Sequence, residues 1–159
     1  MIRYIAHRGN LEGPNPDKEN NPKYIKEALD KSFDVEIDVW CRKGNFYLGH
    51  DEPTYKVPKK FLAHPNFWVH AKNIEALTEL KDLAKNVFSH DTDDAVLTSS
   101  KFVWTYPGRL LLPGNIAVLP ENDSYNLEEL RLCSAVCTDF PIRLKNEIKD
   151  YLWNLASVL

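Results

Sequence analysis

A chain of 159 residues is expected to form one domain, residues 1–159, long enough to bury a core. Its composition, 43% hydrophobic and 27% charged, is that of a soluble globular protein, and a net charge of -3 argues against a nucleic-acid-binding surface, which carries a clustered basic excess. No apolar run approaches the roughly 20 residues that span a bilayer, so no stable membrane insertion is expected. The opening run Ile2 to Ala6 is too short, and too soon interrupted by His7-Arg8, to be a signal peptide. Cys41, Cys133 and Cys137 have no metal-ligand spacing. Their odd count, with no secretory signal, reads as reduced thiols in the cytoplasm.

Along the chain, short apolar runs alternate with amphipathic stretches, the pattern of α/β units. Ile2 to Ala6 reads as a strand. A helix follows with Asn21 as N-cap, Pro22 at its first position and an apolar face of Tyr24, Ile25, Ala28 and Leu29. Phe33 to Trp40 is the second strand, and Lys43-Gly44-Asn45 turns it into the hairpin arm Phe46-Tyr47-Leu48. Phe67 to Ala71 is another strand, followed by a helix from Asn73 expected to bury Ile74, Leu77, Leu80 and Leu83. Val87-Phe88, Lys101 to Thr105, Ile116 to Leu119 and Ala135 to Thr138 complete the strands, and a last helix follows Pro141 with Ile148, Tyr151, Leu152 and Leu155 on its apolar face. About seven strands lie on one path. A full (β/α) barrel takes about 250 residues, so the expected fold is a reduced or incomplete TIM-type barrel.

Titratable residues gather where strands end. His7 and Arg8 follow the first strand, Glu36 and Asp38 lie on the second, and His50-Asp51 ends the hairpin arm. His70 and Lys72 close the next strand, His90-Asp91 follows Val87-Phe88, and Asp139 closes the last. Carboxyl ends of parallel strands form one face, and active sites lie there. In Glu36-Ile37-Asp38 the two carboxylates share one side of the strand. Buried together they cost several kcal/mol unless neutralised, and a divalent cation is the natural compensation. A solvent-facing edge strand is the competing reading. His7 and His50 are candidate acid and base, because imidazole titrates near neutrality. Arg8 and Lys72 would hold phosphate oxygens, or else form ordinary ion pairs. His90-Asp91 is expected first to cap a helix beginning near Thr92, the alternative being that it lines the same basin, and Trp104, Tyr106 and Phe140 to belong to the core, the alternative being a pocket wall.

At these residues the sequence resembles the glycerophosphodiester phosphodiesterase family. The matching pieces are Ala6-His7-Arg8-Gly9, Glu19-Asn20, Glu36-Ile37-Asp38-Val39, Gly49-His50-Asp51, Lys72 and Thr138-Asp139-Phe140-Pro141. The resemblance covers the first third closely and the rest at isolated points. It implies metal-dependent cleavage of a small or lipid-derived phosphodiester on a barrel. His7 and His50 would match the acid–base pair, Glu36 and Asp38 the metal ligands, and Arg8 and Lys72 the phosphate contacts. Glu19 and Asp51 would support them from behind.

Three departures stand out. The family's carboxylate two residues before the lysine is here His70, which as a third metal ligand suits Zn²⁺ or Mn²⁺ better than Ca²⁺ or Mg²⁺. The stretch between Asp51 and Phe67 is short, and the back half is compressed. A catalytically inactive module binding an anionic ligand is the alternative, and a metallohydrolase of another bond type a third. An incomplete barrel leaves strand edges to cover, so a homodimer through the open side is also an expectation.

Overall fold

The computed structural model describes residues 2–123 and 126–157. In chain order the elements are β1 (Arg3–His7), α1 (Pro22–Asp30), β2 (Asp34–Arg42), β3 (Asn45–Leu48), β4 (Tyr55–Val57), β5 (Phe67–Ala71), α2 (Ile74–Leu80) and β6 (Asn86–Phe88). Then come β7 (Ala95–Leu97), β8 (Val103–Thr105), β9 (Ile116–Val118), α3 (Leu127–Leu130), β10 (Ala135–Thr138) and α4 (Pro141–Ala156). No described helix is long and apolar enough to cross a membrane.

The strands form one mixed sheet curled into a half-barrel. β1 lies at its centre, paired in parallel with β2 on one side and β10 on the other. The path runs from β2 to β5 and β6, and from β10 to β9 and β8, all parallel, and ends with β7 antiparallel to β8. The second half of β2 outruns β1 and pairs instead with β3, whose partner β4 completes an antiparallel arm. Ser99, after β7, donates its N–H to the Val87 carbonyl at 2.8 Å and ties that end of the path to β6.

Period-two alternation sorts the side chains into layers. On the concave face Ile5, Trp68, Phe88, Trp104, Ile116 and Cys137 form a buried core, with the Phe88 and Trp104 rings 4.5 Å apart. On the convex face Val35, Ile37, Val39 and Val69 pack with Ile25 and Ala28 of α1 and Ala76 and Leu80 of α2. Ala117 and Val136 pack with Leu144 and Ile148 of α4 and Leu130 of α3. The caps are as the sequence requires: the Asn21 side chain accepts from the Lys23 N–H with Pro22 at the first position, and Asn73 accepts from the Ala76 N–H.

Several expectations need correction. No helix begins near Thr92; the segment turns and enters β7, which was not anticipated, nor were β4 and the short α3. Three-residue strands are too brief to show a period. Ile74 does not join the core: as the first residue of α2 it stands 81% exposed, and Ala76 supplies burial that Ile74 was expected to give. Leu152 and Leu155 are also substantially exposed.

Candidate active site and metal centre

The site begins on β2. Glu36 and Asp38 alternate with the helix-facing valines and isoleucine, so both carboxylates enter the concave face, where each is almost wholly buried. In-register neighbours bring the rest: His7 lies beside Glu36, and His70 beside Asp38. Strand pairing alone therefore assembles two carboxylates and two imidazoles at the carboxyl end of the parallel strands.

The environments of the two acids differ. Asp38 is 3.0 Å from His70 Nδ1 and 2.9 Å from the Asn20 amide nitrogen; Arg8 Nε approaches its Oδ2 to 3.0 Å and Lys72 Nζ its Oδ1 to 3.7 Å. Burial would raise its pKa, but the His70 hydrogen bond and the Arg8 charge outweigh burial and hold it well below the usual carboxylate range. Among the described residues Glu36 has only the Arg8 N–H at 3.3 Å and His7 Nε2 at 3.9 Å. Burial, then the Asp38 charge, push its pKa up. One acid is over-provided with partners and its neighbour is short of them.

His7 is held by the opposite strand. Its Nδ1 lies 2.7 Å from Asp139 Oδ1, at the end of β10, which leaves Nε2 turned toward Glu36. Burial alone would lower its pKa, but the Asp139 hydrogen bond and the Glu36 charge reverse that, and the net shift is upward. Asp139 is itself fixed: Asn10 donates to its Oδ1 at 2.8 Å, and its own N–H donates to Glu121 at 2.7 Å. Arg8 turns back over the basin with φ of +53°, its N–H donating to the Glu36 carbonyl at 3.0 Å and Nη1 to Glu19 at 3.1 Å. Left-handed backbone at a non-glycine residue is costly and persists only where its surroundings impose it.

His50 takes another position. The Gly49 N–H donates to the Asp38 carbonyl at 3.2 Å, and the Gly49 carbonyl accepts from Trp40 Nε1 at 2.8 Å. With φ of +147°, a Cβ on Gly49 would fall 2.0 Å from the Glu52 carbonyl oxygen, so only glycine fits this turn. The turn thus brings the His50 backbone next to β2, but its ring is 41% exposed and pairs with Asp51 at 2.7 Å. The structure therefore gathers His7, Arg8, Glu19, Glu36, Asp38, His70 and Lys72 into one network and leaves His50 and Asp51 as a pair at the rim.

Glu36, Asp38 and His70 offer ligand atoms within 4.8 Å of one another, all buried, and could share one metal ion. The chemistry fits: Glu36 has only a distant counter-charge, His7 at 3.9 Å, and His70 Nε2 is buried with no hydrogen-bond partner among the described residues. Two carboxylates and an imidazole suit a borderline ion. Around His70 lies an aromatic wall, with Phe88 stacked on it at 5.2 Å and His90 5.9 Å away, itself stacked on Tyr106 at 3.7 Å. His90 therefore lines the basin rather than capping a helix, while Trp104 is core, 2% exposed.

Sequence reasoning placed Asp139 at a strand end and Asn20 in a motif without giving either a task, and did not name Asn10 or Glu121. Asn20 grips Asp38 twice, donating to its carboxylate and accepting its backbone N–H at 2.9 Å. A short amide beside Glu19 in a loop following a strand was the available signal for Asn20; Glu121 carried none. Comparison with protein families, with curated proteins and with solved structures finds no match.

Proposed function

We propose that the chain is a metal-dependent phosphoric diester hydrolase, related to glycerophosphodiester phosphodiesterases and built on a reduced (β/α) barrel. The observation that carries this reading is the buried Glu36, Asp38 and His70 group beside an Asp139-held imidazole, with Arg8 and Lys72 at its edge. A divalent cation held there would polarise a non-bridging phosphoryl oxygen. Arg8 and Lys72 orient the diester by its anionic oxygens. As the attacking oxygen, from water or a neighbouring hydroxyl, bonds to phosphorus, one of His7 and His50 takes its proton. The other returns a proton to the departing alkoxide as the second P–O bond breaks. Glu19 holds Arg8, and Asp139 keeps His7 Nε2 toward the reacting centre.

The same reading places the protein in the cytoplasm, supported by three unpaired, buried cysteines. The imidazole in the ligand set favours Zn²⁺ or Mn²⁺ over Mg²⁺ or Ca²⁺. A second reading, an inactive module for an anionic ligand, is favoured by one observation: Arg8 and Lys72 already lie against Asp38, and the His50 ring sits outside the network.

The test is turnover of bis(4-nitrophenyl) phosphate with each of the four ions. His7→Ala and His50→Ala should each lose on the order of 10²–10⁴ in rate, and Asp38→Asn should lose calorimetric metal binding. Wild-type turnover by either histidine variant would overturn the assigned roles. Metal binding with no hydrolysis of any diester would support the module instead.

A further inference from the structure

At the opposite end of the strands lies a groove of about 1360 Å³, bordered by the start of β1, the turn before β10 and one side of α4. Its apolar lining includes Leu132 and Leu152, each 45% exposed, and Trp153, 75% exposed. Arg3, Arg131, Lys145 and Lys149 also line it, against a single carboxylate among the described residues, Asp34. The chain as a whole carries net charge -3, so this basic cluster is a local reversal of sign.

The charges are disposed for a ligand. Arg131 is paired with Glu128, but Arg3, Lys145 and Lys149 form no ion pair among the described residues. The Arg3 guanidinium lies 4.9 Å over the Phe102 ring and the Lys145 ammonium 5.4 Å over Phe33, so both cations are held beside apolar surface. Asp34 is engaged by Trp68 Nε1 at 3.1 Å. A two-fold contact with a second copy would set this basic patch against another of the same sign.

We propose that this groove binds an anionic single-chain lipid, its hydrocarbon chain along Leu132, Leu152 and Trp153 and its head group among Arg3, Lys145 and Lys149. Apolar burial supplies the affinity and the unpaired cations select the charge. The site is remote from the proposed catalytic basin and independent of any activity there.

The test uses the whole chain with oleate and, as a neutral control of equal chain length, monoolein, both below their aggregation concentrations. Trp153 fluorescence reports binding, and a Trp153→Phe protein supplies the background of the other tryptophans. Oleate should give a saturable blue shift and bind about tenfold or more tighter than monoolein; Lys145→Glu with Lys149→Glu should remove that preference with no change in thermal unfolding. Should the double variant unfold, screening by salt gives the same reading, weakening oleate but not monoolein. Equal affinity for the two lipids, a shift seen only with micelles or vesicles, or self-association at the concentrations used, each overturns the proposal.

Discussion

The two halves of the half-barrel differ in how each strand is covered. From β1 to β6 the convex face lies under α1 and α2, and Val35, Ile37, Val39, Val69 and Ala71 are sealed from water. On β7 and β8 no described helix plays that part: Leu97 is 67% and Val103 36% exposed although they are direct cross-strand neighbours. The buried acids sit on the covered half. A pair of carboxylates can be kept dry and aimed only by strands that cannot shift, and the double-layered half provides that rigidity. The bare β7–β8 end supplies mainly wall, through Trp104 and Tyr106.

This contrast is broken most directly by matched truncations. Ile37→Ala removes a fully buried side chain between sheet and helices and should cost about 2–5 kcal/mol. Leu97→Ala, an apolar truncation on the bare hairpin, should stay within about 0.5 kcal/mol. Urea unfolding of the two variants decides it; comparable losses would mean that something covers β7 and β8 in solution.

A sharper form of the comparison concerns polar groups within the covered half. Asn20 lies 1% exposed and makes two hydrogen bonds to Asp38, one from its amide nitrogen and one to its amide oxygen. Asn20→Ala leaves the Asp38 N–H and one carboxylate lone pair dry and unpaired, so it should cost about 1–3 kcal/mol. It should also weaken metal binding, because Asp38 loses one of the contacts that orient it. Asn20→Asp, which keeps the acceptor but adds a third acid, should retain less stability than wild type, and calorimetry with Zn²⁺ should separate the two effects.

The covered half was also the legible half. The alternation from Val35 to Val39 fixed the orientation of β2, and from it the meeting of Glu36 and Asp38 on one face. What strand pairing adds is the neighbour: nothing in the spacing of 7, 36 and 70 says that His7 registers with Glu36 and His70 with Asp38. The hydrogen-bond partners were hidden for the same reason. Asn10 and Asn20 act from loops and Glu121 from a single 3-10 turn, Pro120–Asn122, where no period constrains direction. The back half misled because Thr92-Asp93-Asp94 has the composition of a helix start, yet Ala95–Leu97 finds its backbone partners on β8. Pairing across a hairpin outweighed local preference. The exposure of the His50 ring was equally invisible, since a motif specifies a turn and not the rotamer after it.

The smallest effect separates the two sides of the site itself. His7 and Asp139 link β1 to β10 across 2.7 Å, and their shifts oppose each other: His7 up from 6.5, with burial outweighed by the Asp139 bond and Glu36, and Asp139 down from 3.8, with burial outweighed by the same bond and the His7 charge. A raised imidazole pKa means that the folded chain holds the proton more tightly than the unfolded one. Its contribution is therefore complete below pH 6.5 and disappears as pH rises through the folded value. The depressed carboxylate contributes fully above 3.8 and loses it as pH falls through its own folded value. Together the pair should stabilise the metal-free protein most between those two limits. In chelator, the melting-temperature gap between wild type and His7→Gln should be widest between pH 3.8 and 6.5 and narrow as pH rises beyond 6.5. A gap that widens with pH instead would mean that burial outweighs Asp139 and Glu36 and that the folded chain holds His7 neutral.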